Sequence, residues 1–312
     1  MSIAPYIAIA RLDHWVKNIF ILPGTLIAAL LIHPPAADFL WRFPLGLLST
    51  CLVCSANYVL NEWLDAHNDR FHPTKRFRPS VAGALRQPLV YAEYLALAVL
   101  GLLGGFSVSR PFGLTTAILL LMGVVYNVPP LRTKDRVVVD VLSESFNNPL
   151  RLAMGWFIVT TFPLPPSSLL VSYWMGGAFL MAIKRFAEFR QIGNQAVAGN
   201  YRRTFRYYSE ETLLISSVFY AMFCGLLLGV FLVKYRVELL LLLPFLAVHF
   251  AWYLHLAFLP DSPTQFPERL YQQRGFALFT LLVGIVFVVL LMVDLPALRW
   301  FLQRVFITAQ GQ

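Results

Sequence analysis

The sequence predicts an all-α, polytopic membrane protein, with about nine transmembrane helices bundled around a central cavity open to the cytoplasmic side. Composition is the first observation behind this reading. Of 312 residues, 58% are hydrophobic and only 13% charged, and the mean hydropathy is +0.65. A soluble domain is about half apolar and a quarter charged. The second observation is length, because the runs 212–233, 239–259 and 276–293 each approach the ~20 apolar residues that cross a hydrocarbon core. The third is the uneven distribution of Lys and Arg between alternate loops.

In chain order, spans are expected at 19–33, 43–62, 90–107, 113–128, 150–162, 167–184, 212–233, 239–258 and 276–293. The first apolar run starts near Ile19, after Arg11 and Lys17, and leads into further spans, so no cleavable signal peptide is expected. Outer loops such as "HPPAAD" and "FPLPPSS" are short and proline-rich. Polar stretches recur after every second span, at about 61–88, 129–151, 184–211 and 260–275. That recurrence points to helical hairpins around one shared mouth, within a single membrane domain covering 1–312.

With the N-terminus inside, the outer side holds only Arg42, Arg110, Lys234, Arg236, Arg299 and Arg304, and the other 19 of the 25 bases lie inside. Positive residues accumulate on the cytoplasmic side, so the long polar loops face the cytoplasm. A net charge of +9 would suggest nucleic acid in a soluble chain. Here its placement makes the bilayer the partner, and no nucleic-acid partner is expected. Cys51, Cys54 and Cys224 all lie in apolar segments, and no second pair or His cluster completes a metal site. His67 and His72 match no zinc signature.

The stretch "NEWLDAHNDRFHPTKRFRPSVAG", residues 61–83, breaks the apolar pattern. Asn61, Asp65 and Asp69 are spaced i, i+4, i+8, and Glu62 lies seven residues before Asp69, so on a helix they share one face. Like charges so placed destabilise an isolated helix, and more so where desolvated at a membrane boundary. A hard divalent cation relieves this, and Mg2+ is usually held by one or two carboxylates plus substrate phosphates. Lys75, Arg76 and Arg78 follow at once and can hold the phosphate oxygens that a metal leaves free. Glu62, Asp65 and Asp69 are therefore the expected metal ligands. The competing reading is that acids and bases simply pair on a solvated loop.

The pattern Asn61-Glu62-x-x-Asp65-x-x-x-Asp69 resembles the first aspartate-rich motif of the UbiA superfamily of intramembrane prenyltransferases, commonly N-D-x-x-D-x-x-x-D. The longer "DRFHPTKRFRPSVAG" resembles the branch that makes decaprenylphosphoryl-5-phosphoribose. Three further stretches resemble the same branch: "HWVKNIFIL" (14–22), "YNVPPLRTKDRVVVDVLSESFNNPLRLAMGW" (126–156) and "AIKRFAEFRQIG" (182–193). They are spread over the first two-thirds of the chain.

The resemblance implies an enzyme of the bacterial inner membrane that uses Mg2+ to transfer 5-phosphoribose. The donor is phosphoribosyl pyrophosphate, the acceptor a polyprenyl (decaprenyl-type) phosphate, and the site faces the cytoplasm. A homo-oligomer is compatible with it. Asp65, Asp69, Lys184 and Arg185 are the implied catalytic residues. Lys17, Asn61, Lys75, Arg76, Arg78, Arg132, Lys134, Asp140, Arg151 and Glu188 are the implied substrate-binding set. For the bases, the plain alternative is a topogenic charge meeting anionic lipid. Lys184 and Glu188 are spaced i, i+4 and could form only a local ion pair.

Two features bear on substrate. Residues 182–211 contain no D-x-x-x-D, the second aspartate motif of ordinary family members, which argues for a substrate with extra phosphates. Glu144, Asn147, Asn148 and Pro149 stand where the branch carries apolar residues and glycine, and they leave the pentose open. The alternative function is a prenyltransferase moving a polyprenyl group from its diphosphate to an aromatic acceptor. A transporter would instead need ionisable residues deep in several spans. A non-catalytic lipid-binding scaffold would have no need for aligned acids.

Overall fold

The computed structural model describes residues 3–72 and 74–302, so Pro73 of the base-rich run and Arg304 of the outer charges lie outside the described residues. Every regular element among these is helical. The chain opens with α1 (Ala4–Ala10), a 3-10 segment over Leu12–Ile21, α2 (Leu22–Ile32) and α3 (Ala36–Asp69). There follow α4 (Gln87–Val108), α5 (Arg110–Asn127), α6 (Val139–Ser145), α7 (Asn147–Val159) and α8 (Ser167–Ile192). The last part holds α9 (Gln195–Tyr201), α10 (Glu210–Tyr235), α11 (Leu243–Ala257), α12 (Arg274–Met292) and α13 (Pro296–Phe301).

Among the described residues, six helical segments are long and apolar enough to cross a membrane: Ala4–Ile32, Ala37–Asp69, Gln87–Val108, Glu210–Tyr235, Val237–Ala257 and Arg274–Met292. The expected spans 113–128, 150–162 and 167–184 fall on α5, α7 and α8, which are helical but outside that set. The physical reason is their place in the bundle. From Pro149 to Val159, every residue of α7 except Arg151 is buried. α8 is likewise buried along much of its length. Shielded from lipid by its neighbours, α7 does not need the length of a free-standing span, at 13 residues, and α8 carries charge at its end. α12, by contrast, buries only Phe276.

Helix ends follow local chemistry. Ser109 caps α5, its hydroxyl accepting from Phe112 N–H at 3.3 Å, with Pro111 in the first turn. Ser209 and Thr212 form a capping box at the start of α10. Gly193 ends α8 in the left-handed conformation, φ 64°.

Packing rests on small residues at crossings. A Cβ on Gly24 would strike the Leu152 carbonyl, and one on Gly155 would strike the Ile21 carbonyl, so the α2 and α7 backbones touch. One apolar cluster centres on Leu152, Met154 and Trp156 of α7. A second gathers Phe179, Ile183 and Phe186 of α8 with Tyr253 of α11 and Phe276 of α12.

Charge is sorted along the bundle. Arg236, Glu238, Asp294 and Arg299 form one network, with Arg299–Glu238 at 2.7 Å and Arg236–Asp294 at 2.8 Å. The motif residues form a separate one, around the ends of α3 and α8.

Replacing Gly155 by alanine should cost about 1–3 kcal/mol, because backbone and not a flexible side chain blocks the added methyl. Thermal unfolding in detergent should show a midpoint below wild type; an unchanged midpoint would contradict the α2–α7 contact.

Candidate active site

α3 is 34 residues long, or roughly 50 Å, and outruns a hydrocarbon core of ~30 Å. Its last turns, Asn61 to Asp69, therefore reach the polar edge. There the acids share a helix face, but they do not converge on a common point. Among the described residues, no group of three His, Cys, Asp or Glu side chains is placed to hold a metal ion. Each acid of the expected metal set instead has its own base.

Glu62 is only 2% exposed. It accepts from Arg11 Nη2 at 2.7 Å and Nε at 3.1 Å, and from Ser80 Oγ at 3.4 Å. Asp69 pairs with Arg78. Asp65 accepts from Lys134, from Arg132 Nη2 at 3.2 Å and from Asn61 Nδ2 at 3.1 Å. Asn127 ties this group together, its Oδ1 accepting from Asn61 Nδ2 at 2.6 Å and Lys134 Nζ at 2.8 Å. The like-charge crowding read along this face is thus neutralised from outside the helix.

A second set of pairs lies opposite. Glu188 accepts from Lys75 Nζ at 3.0 Å and from Arg185 Nη1 at 3.1 Å. Lys75 also donates to Tyr201 Oη. Arg185 reaches Glu144, and lies 3.8 Å from Asp140. Tyr126 Oη donates to Glu144 at 2.6 Å. Asp140, fully buried, accepts from Tyr208 Oη at 2.7 Å and Thr204 Oγ1 at 3.2 Å and faces Arg202 at 3.8 Å. Val138 sits at φ 68°, an unfavourable value for a β-branched residue, with its N–H donating to Tyr208 Oη at 2.7 Å. The strained turn is held where it delivers Asp140 into the bundle.

The three quoted segments 61–83, 126–156 and 182–193 therefore meet in one ion-pair network. Burial works against each charge in it, and the pairs decide the outcome. At Glu144 burial is opposed by Arg185 and then Lys184, which hold the carboxyl down to about 2. At Asp140 burial outweighs Arg185 and Arg202 and the carboxyl moves up. Burial also outweighs Asp65 at Lys134 and lowers the amine. His72, 1% exposed, is held down to about 3 by burial and then by Lys75, and so stays neutral.

Not every expected residue joins the network. Arg76 is exposed and stacks on Phe77, 4.8 Å from the ring centroid. Lys184 makes no ion pair within 4.0 Å among the described residues, so the simple i, i+4 pair with Glu188 does not form. It remains within electrostatic reach of Glu188, Glu144 and Lys17. Arg151 lies apart, against Asn18 and Cys54. Arg11, Tyr126, Glu144, Tyr201, Arg202 and Tyr208 are network members that sequence reasoning left among the topogenic charges, aromatics or departures. Except for Arg11, which precedes every quoted segment, their only signal was position inside those segments or in the Arg- and Tyr-rich run that follows. The network lies where the mouth of the central cavity is expected. A cleft of about 530 Å3, lined by His67, Pro130, Arg132, Arg136 and Arg203, opens beside it.

The sequence profile of the UbiA prenyltransferase family matches residues 21–271. The chain belongs to this family. Decaprenyl-phosphate phosphoribosyltransferase of Mycobacterium tuberculosis (strain ATCC 25618 / H37Rv) is 31% identical over 188 residues, covering 60% of this chain and 60% of that protein. The enzyme of the same name from Mycolicibacterium smegmatis is 32% identical over 182 residues, 57% of this chain and 55% of that one. Nodulation protein NoeC of Azorhizobium caulinodans is 31% identical over 200 residues, 64% of this chain and 62% of it. The matches thus span less than two thirds of these relatives. A UbiA homolog from Archaeoglobus fulgidus, solved bound to GPP and Mg2+, superposes with a TM-score of 0.69 over 93% of this chain and all of that one, at 19% identity. At that identity the likeness is one of fold.

The pair Glu144–Arg185 gives a pH test. Because Glu144 is held from 4.5 down to about 2, its stabilisation is complete above about pH 4.5 and is lost as pH falls toward about 2. Glu144→Gln should therefore unfold below wild type at neutral pH. The gap between their thermal midpoints should narrow progressively at about pH 4 and about pH 3. A gap independent of pH would show that the carboxylate charge is not what holds Arg185.

Proposed function

We propose that this protein transfers 5-phosphoribose from phosphoribosyl pyrophosphate to a polyprenyl phosphate in a bacterial plasma membrane, releasing pyrophosphate on the cytoplasmic side. The observation that carries this is the convergence of the base-rich run after α3 with the Lys184–Arg185 pair of α8, through Glu188. A prenyl diphosphate donor presents one charged group, whereas phosphoribosyl pyrophosphate presents two, at opposite ends of a ring. Two basic sets suit the second. The names of the relatives from Mycobacterium tuberculosis and Mycolicibacterium smegmatis support the same substrate class.

The chemistry asks little of the protein in proton transfer. An oxygen of the lipid phosphate, already anionic, forms a bond to C1 of the sugar. The bond from C1 to the pyrophosphate oxygen breaks, and its electron pair leaves with pyrophosphate. Catalysis is then alignment and charge stabilisation. Lys75 and Arg78 exchange carboxylate partners for phosphate oxygens, as do Arg132 and Lys134, which requires only that substrate oxygens displace Glu188, Asp69 and Asp65. Lys184, with no ion pair to break, meets the 5-phosphate. Glu188 positions Lys75 against Arg185.

The donor set fits Mg2+ in part. Asp65 and Asp69, one helical turn apart, suit a cation whose other ligands are phosphate oxygens. Glu62, enclosed by Arg11 and Ser80, orients Arg11 instead. When bound, the ion would supply Lewis-acid stabilisation of the leaving pyrophosphate.

The test is an assay of purified protein with polyprenyl phosphate, Mg2+ and labelled phosphoribosyl pyrophosphate. Wild type should form the lipid-linked sugar phosphate and discriminate about ten- to a hundredfold against a donor lacking the 5-phosphate, the worth of one charge-assisted hydrogen bond. Asp65→Asn should lose turnover by orders of magnitude. It should also unfold more readily, since Lys134 is left buried without its carboxylate. Equal use of both donors, or transfer of a prenyl group to an aromatic acid, would replace this reading with the prenyltransferase one.

A further inference from the structure

Arg151 is a base deep in the bundle whose hydrogen bonds among the described residues go only to uncharged atoms. Arg11, Lys75, Arg78, Lys134, Arg185 and Arg202 each have a carboxylate within 4.0 Å. Arg151 has none among the described residues. Its Nε donates to Asn18 Oδ1 at 3.0 Å and its Nη2 to Cys54 Sγ at 3.3 Å. Its other electrostatic neighbours are the hydroxyls of Tyr58 and Tyr173. A guanidinium carries five N–H donors, and among the described residues Nη1 makes no hydrogen bond.

A charge withdrawn from water without a counter-ion is expensive to keep. Where Arg151 faces is therefore informative. It alone among residues 149–159 is part-exposed, the others being buried. Its neighbours Tyr58 of α3 and Tyr173 of α8 are likewise partly accessible. Along α3, Cys54 stands eleven residues before Asp65; along α8, Tyr173 stands eleven residues before Lys184. Both helices rise ~1.5 Å per residue, so Arg151 lies about 16 Å deeper than the level of Asp65 and Lys184. Between those levels Tyr58, Asn61 and Asp65, at helical spacing, all keep accessible surface.

We propose that Arg151 binds the phosphate of the lipid acceptor. This rests on the transfer reading above and divides its charges by depth: the water-soluble donor takes the outer level, and the acceptor anion takes the inner one. The gap between them matches an acceptor phosphate, a sugar ring and a pyrophosphate placed in line, the arrangement that displacement at C1 needs. The acceptor then supplies the counter-charge that Arg151 lacks.

The first experiment reads binding without turnover: thermal stabilisation of purified protein by decaprenyl phosphate against decaprenol, in detergent. Wild type should be stabilised by the phosphate and not by the alcohol. Arg151→Gln should lose that difference, Arg151→Lys should restore part of it, and the ligand-free midpoint of Arg151→Gln should equal or exceed wild type. In turnover, KM for the lipid phosphate should rise roughly ten- to a hundredfold in Arg151→Gln, with KM for phosphoribosyl pyrophosphate unchanged.

Undiminished lipid-phosphate binding by Arg151→Gln overturns the assignment. So does an effect that falls on the phosphoribosyl pyrophosphate KM instead, or a large drop in ligand-free midpoint that lysine does not repair. Selective binding through Arg151 in a protein that transfers no phosphoribose would uphold this site and reject the transfer reading.

Discussion

Ions gathered at the end of a membrane bundle have been taken partly out of water, and each must recover that loss from an opposite charge close by. Glu188 shows the consequence most fully. Only 2% exposed, it lies between Lys75, from the loop after α3, and Arg185, one turn back on its own helix. Arg185 in turn reaches Glu144 and Asp140 of α6. Three separate stretches of chain are thereby tied to one another by a single acid and a single guanidinium. The turn at Val138, the cap of Tyr208 on Asp140 and the Lys134–Asp65 pair extend the same logic to the far side of α3.

This arrangement serves a dual purpose. Bases held by carboxylates stay charged and oriented while no substrate is present. On the transfer reading proposed above, the same bases would move onto phosphate oxygens at little net electrostatic change, since one anion would replace another. Lys184 and Arg151 differ because, among the described residues, they have no carboxylate within 4.0 Å to exchange, so on that reading an incoming anion would add charge there rather than substitute for it. The small-residue crossings matter here too. Gly24 and Gly155 let α2 and α7 touch backbone to backbone, and that contact sets Arg151 of α7 beside Asn18, four residues before α2 begins.

The aspartate ladder illustrates both the reach and the limit of sequence reasoning. Spacing alone put Asn61, Glu62, Asp65 and Asp69 on one helix face, as α3 has them. Spacing could not say that Arg11, 51 residues upstream, would claim Glu62. Nor could it separate Arg76, which points out onto Phe77, from Lys75 and Arg78 on either side, which point in. Tyr126 and Tyr208 looked like two aromatics among many. Only their hydroxyl contacts to buried acids make them part of the site.

The sequence by itself determined that the chain is helical and membrane-embedded, because apolar run length and helical period are local properties of consecutive residues. It also pointed to the family, through motif residues whose spacing along a helix is fixed by the backbone. Which acid pairs with which base was decided by the tertiary structure alone. Ion pairing is a contest among charges brought together from distant stretches, settled by burial and distances of a few ångströms that no local pattern encodes. The same holds for the inner helices. α7 is short and α8 charged because other helices cover them, and cover is a property of the assembled bundle.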